Sequence, residues 1–116
     1  MSGDLVVLCA DNPDAPALLE ALSVAGEDLR LDSLSDGAAL RLLREDGETV
    51  LTVEVPLLVQ VTGEPERLLG SAAAGVAVPV WWVDVHAVPG RGAAADRVAT
   101  ALAEALRGRV CPTGSG

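Results

Sequence analysis

The chain reads as an α+β domain: a two-layer sandwich of a largely antiparallel sheet with helices on one face. Three observations lead there. Asp46-Gly47 separates two strand-like runs, which is the chemistry of a tight hairpin turn. In the second run Leu51, Val53 and Val55 alternate with Thr52 and Glu54, giving a strand one dry face and one wet face. Two helical stretches, ending at Gly26 and Gly108, each carry a single apolar stripe. The order strand–helix–strand–strand–strand–short helix–strand–helix suits a ferredoxin-like arrangement with a helix added at the C-terminus.

The elements follow in order. "DLVVLCA" (4–10) is a short apolar run bounded by polar residues, the pattern of a buried strand. The next helix takes Asp14 as its N-cap, tolerates Pro16 in its first turn and stops at Gly26, with Leu18, Leu19, Leu22 and Ala25 as its stripe. "DLRLDSLSD" (28–36) and the two arms around Asp46-Gly47 are strands. Pro56 removes a ladder donor, so a bulge, bend or edge is expected before "LLVQV" (57–61) resumes. "GEPERLLG" (63–70) makes one or two helical turns, and the small-residue stretch "SAAAGVAVP" (71–79) is expected to be a flexible loop. "VWWVDVHAV" (80–88) is a strand and 92–108 a helix, with Val98, Leu102 and Leu106 on its apolar face. Residues 1–110 make a single domain, and 111–116 a tail that frays.

Bulk properties narrow the function. The 116 residues are 50% hydrophobic, enough to build one core, although only two Trp supply aromatic area. The net charge of −9 repels phosphate backbones, so no nucleic-acid partner is expected. The longest apolar run, Ala72 to Val83, is broken by Gly75 and Pro79 and falls short of the ~20 residues that span a bilayer. Asp4 stands where a signal peptide would carry positive charge, so a cytoplasmic location with no membrane partner is expected. Cys9 and Cys111 have no metal-binding spacing and read as reduced thiols.

"VPVWWVDVHAVPGRGAAAD" (78–96) concentrates the candidate chemistry: both tryptophans, the single histidine and a glycine pair. On a strand Trp82, Asp84 and His86 share one face, opposite Trp81, Val83, Val85 and Ala87. An Asp beside a His can orient a general base. No nucleophile stands near it in sequence, and one His with one Asp cannot close a metal site. Alternation alone accounts for this stripe as the wet face of a half-buried strand. Gly90-Arg91-Gly92 matches the start of a dinucleotide fingerprint, but no βαβ unit follows and no acid arrives ~20 residues later. It reads better as a turn into a helix, with Arg91 free to meet an anion. Glu45, Asp46, Glu48, Glu64, Glu66, Asp11 and Asp14 each have a turn or capping role. Trp82 is either core beneath a helix or loop such as 71–79, or an interface anchor. No catalytic residue, metal site or cofactor is assigned.

Three blocks, "DLVVLCADNPD", "LTVEVPLLVQVTGEPERLLG" (51–70) and "VPVWWVDVHAV" (78–88), resemble the N-terminal region of an uncharacterised actinobacterial protein family encoded near type VII secretion genes. The resemblance implies a cytoplasmic, secretion-linked context and transfers no catalytic residue. The expected function is a non-enzymatic, acidic protein-interaction module that binds another protein or itself as a homo-oligomer, through Trp82, Asp84, His86 and Arg91. A small-ligand-binding regulatory domain is the alternative, and a hydrolase or transferase centred on His86 a third.

Overall fold

The structure is a computed structural model and describes residues 5–23, 30–34, 39–43, 46–54, 56–88 and 92–112. The strands are β1 (Leu5–Cys9), β2 (Arg30–Leu34), β3 (Ala39–Leu43), β4 (Thr49–Glu54), β5 (Leu57–Val59), β6 (Val80–Ala87) and β7 (Gly108–Pro112). The helices are α1 (Ala15–Ser23), α2 (Glu64–Leu69) and α3 (Gly92–Leu106), and a 3-10 turn at Gly70–Ala73 follows α2. The sheet runs β2-β3-β4-β6-β1-β7, with β5 also paired to β6, and every pairing is antiparallel.

Within that order, β7-β1-β6-β4 with crossovers α1 and α3 is the ferredoxin-like unit expected from the sequence. The β2–β3 hairpin is inserted between α1 and β4 and widens the sheet. One detail is corrected. The C-terminal helix is no addition to the unit but its second crossover, because β7 follows it and pairs with β1. Residues 111 and 112, expected to fray, belong to β7 and close the sheet with Gly108–Val110. Their alternation is too short to stand out in sequence, and β1 supplies the ladder that orders them.

The main core lies between the sheet and the α1–α3 pair. Val7 and Cys9 of β1, Leu51 and Val53 of β4, and Val83 and Val85 of β6 meet Leu18 and Ala21 of α1 and Ala95, Val98 and Leu102 of α3. Asp14 caps α1 as expected, its Oδ1 accepting from the Ala17 N–H at 3.0 Å. A second, smaller core lies on the opposite face. There α2, the 3-10 turn and the segment after it cover Val6, Leu8, Val80 and Cys111 through Leu69, Ala73, Val76 and Val78. β1 is therefore buried on both sides, which is why it reads as an unbroken apolar run. The 71–79 stretch, expected to be a loop, is tied down. Ala73 is buried, and Arg109 donates to the carbonyls of Ala72 and Ala74. Its small side chains let that backbone lie close to β7.

Two chain reversals rest on backbone conformation. At the hairpin tip Gly47 has φ +87°, and Asp46 Oδ1 accepts from the Glu48 N–H at 2.9 Å. At the end of α3 it is Arg107, not the expected glycine, that takes the left-handed conformation, with φ 53°. Its guanidinium forms a two-pronged ion pair with Asp11, at 3.1 and 2.6 Å, which holds it there. That bond also keeps the exposed Asp11 carboxyl below its ordinary pKa.

Gly108 lies directly across from Cys9, where an added Cβ would stand 2.5 Å from the Leu8 carbonyl oxygen. Gly108→Ala is expected to destabilise the fold by about 2 kcal/mol or more through forced backbone separation. Gly47→Ala meets open space and costs only its left-handed strain, about 1 kcal/mol. Urea unfolding of the two variants checks the order, and equal losses would contradict it.

Candidate functional site

Alternation along β6 decides which side chains meet. Trp81, Val83, Val85 and Ala87 turn to the main core. Val80 and Trp82 turn the other way into the smaller core, and Asp84 and His86 continue along that same face. Trp82 is half-buried and belongs to the smaller core, which also includes Ala72, Ala73, Val76 and Val78 of the 71–79 segment. Its indole Nε1–H donates to Asp84 Oδ2 at 3.1 Å.

Beyond Trp82 the smaller core does not continue among the described residues. Over the far half of β6, β4 and β3 the sheet presents polar residues. Thr52 stands in register with both His86 and Arg41, and none of the three is fully buried. Glu54 reaches across from β4, its Oε2 lying 2.6 Å from His86 Nε2. Glu54, Asp84 and His86 thus offer two carboxylates and an imidazole whose nearest donor atoms all lie within 4.8 Å of one another.

Asp84 and His86 were evident as a pair on one strand face. Glu54 was not, because 32 residues separate it from His86 and only the antiparallel β4–β6 pairing joins them. Its position on the wet face of the alternating β4 run was the available signal. Arg91 lies outside the described residues. Of the acidic residues given turn or capping roles, Asp14 and Asp46 cap backbone N–H groups, whereas Asp11 pairs with Arg107 and Glu64 with Arg67; Glu45 lies outside the described residues.

Neither cysteine stands beside this cluster. Cys111 stands two strands from Asp84, through the Val6 register position, and its Sγ donates to the Ala72 carbonyl at 3.4 Å. Burial pushes its pKa up. Cys9, on the opposite face of the sheet, is pushed up to about 11, mainly by burial and further by the Asp11 charge. A cleft of about 300 Å³ between residues 75–80 and 107–109 is flanked by Arg107 and Arg109, both already engaged with Asp11 and with backbone carbonyls.

A separate feature stands at the β5–α2 end. Leu57, Leu58, Val61 and Leu68 are exposed by 58, 43, 65 and 52%. The faces of Leu57 and Leu58 are set by a register slip. Val53 pairs with Val85 but Leu57 pairs with Trp82, so four residues on one side span three on the other. The slip falls between Val53 and Leu57, the stretch that holds Pro56, where the sequence led one to expect a bulge, bend or edge. It moves Leu57 and Val59 from the main-core face of the sheet to the face of Trp82. Comparison of the chain with protein-family models, curated proteins and solved structures gives no match.

Two outcomes follow. Trp82→Phe retains ring packing but removes the donor to Asp84, and is expected to cost about 1 kcal/mol. Trp82→Ala also loses half-buried ring area and is expected to cost about 2 kcal/mol, read by urea unfolding. Equal costs would mean that the hydrogen bond, not the packing, sets the contribution of Trp82.

For Cys9, the unfolded thiol ionises near 9.0 and the folded one near 11, so its stabilising contribution is full below pH 9 and lost as pH rises through that window. Melting curves of Cys9→Ala are therefore expected to fall less steeply than wild type between pH 9 and pH 11.

Proposed function

We propose that this chain is a non-enzymatic protein-interaction module whose partner adds an extended, basic segment along β5. The exposed Leu57 and Leu58, on opposite faces of a strand paired to β6 alone among the described residues, carry this reading, with Val61 and Leu68 also exposed in the segment that follows. An edge strand offers unpaired backbone groups on its outer side, and an incoming strand satisfies them while its side chains cover the leucines. Exposed large apolar residues gathered in one stretch are the usual mark of such a surface. The net charge of −9, with Glu64 and Glu66 beside the patch, favours a basic partner and speeds its encounter.

Trp82, in register with Leu57, borders this patch rather than forming its centre, and Asp84 and His86 lie further along β6. No helix of the described residues is long and apolar enough to cross a membrane. A cytoplasmic role linked to secretion is part of the proposal and rests on the sequence resemblance alone.

The test compares wild type with Leu57→Asp/Leu68→Asp. A partner retained from native extract is purified and titrated against both proteins at two salt concentrations. At least a tenfold weaker affinity for the variant, at unchanged melting temperature, with binding to wild type weakened by salt, is expected. Equal affinity overturns the surface. A wild-type dimer that the variant abolishes, with no other partner retained, would put a second copy on β5 instead.

A further inference from the structure

The polar cluster on the far half of β6 does different work from the apolar edge. We propose that Glu54, Asp84 and His86 form a binding site for a divalent first-row transition cation, with Zn²⁺ the preferred ion. The donor set is one imidazole and two carboxylates, a mixture that suits Zn²⁺ and its neighbours, whereas Mg²⁺ and Ca²⁺ take oxygen ligands. Asp84 and His86 are two residues apart on one strand and Glu54 stands on the adjacent antiparallel strand, so the sheet ladder holds all three backbones. Their nearest donor atoms already lie within 4.8 Å of one another. Ligand atoms ~2.0–2.2 Å from a tetrahedral ion sit roughly 3.3–3.5 Å apart, so rotamer adjustments without backbone movement close the site.

One contact must rearrange. The 2.6 Å approach of Glu54 Oε2 to His86 Nε2 opens as the ion enters between them. Asp84 is supported from behind, because the Trp82 indole N–H holds Oδ2 and leaves Oδ1 for the ion. Ligating carboxylates characteristically have such an outer partner. His86 and Glu54 remain 40 and 50% exposed, which leaves room for water at the other coordination positions and gives the ion an open path. Arg41, in register with Thr52 on this face, stands two strands from His86.

His86 is the chain's single histidine, so its imidazole reports on this site alone. Tag-free protein is titrated with ZnCl₂ by calorimetry, with the imidazole ¹⁵N resonances followed by NMR. One equivalent bound at micromolar Kd, with a shift of one ring nitrogen saturating at the same stoichiometry, is expected. His86→Ala and Glu54→Gln should each weaken binding at least tenfold, and Trp82→Phe several-fold, while Asp96→Asn on α3 binds as wild type. Circular dichroism and melting without metal establish that each variant is folded. Imidazole resonances that do not move at saturating Zn²⁺, or equal affinity across all variants, would reduce the cluster to a solvated polar face and overturn the proposal. Leu57→Asp/Leu68→Asp should bind Zn²⁺ normally, so this site and the docking edge succeed or fail independently.

Discussion

The one-residue slip of the β4–β5 segment along β6 is the constraint on which the surface chemistry depends. Pro56 has no N–H to give the ladder, so continuous pairing stops there and restarts out of step. Before the slip, Leu51 and Val53 share the main core with Val85; after it, Leu57 shares a face with Trp82. Side-chain period in a strand is two, so an offset of one exchanges the faces completely. An unbroken strand would have sent Leu57 towards α1 and α3. The break turns Leu57 to the face of Trp82, while the paired part of β4 brings Glu54 beside His86.

The same strand also explains why the sheet's second face is split. Near Val80 and Trp82 it is covered by α2, the 3-10 turn and the small residues that follow. Near Asp84 and His86 the side chains are polar and only part-buried among the described residues. Trp82 stands at the boundary. Its ring belongs to the covered half and its N–H to the first residue of the polar half. A half-buried tryptophan with one polar atom suits that position, because its body needs apolar neighbours and its N–H needs an acceptor.

Much of the fold was legible because its signals are local. Asp14 as a cap, Asp46-Gly47 as a turn, the alternation of β4 and the break at Pro56 each need only a few neighbouring residues to act. The signals that misled were equally local. Arg109-Val110-Cys111 is too short to announce a strand, and only β1 makes it one. The small residues after Ser71 look like slack chain, yet small size is what lets them pack against β7. Of the candidate site, the Asp84–His86 pair was visible because it lies on one strand. The placing of Glu54 and the face of Leu57 depend on which strand lies beside β6, and in what register.

By itself, then, the sequence determined the class of the fold, the two long helices, the wet face of β6 and an acidic composition with one histidine. Those properties follow from periodicity, turn chemistry and charge, which act over a few residues or over the whole chain. Tertiary structure alone decided that Glu54 meets His86, that β7 completes the sheet and that Leu57 lies outside the core. Each of these is a matter of strand neighbours and register, set by the packing of residues far apart in the chain.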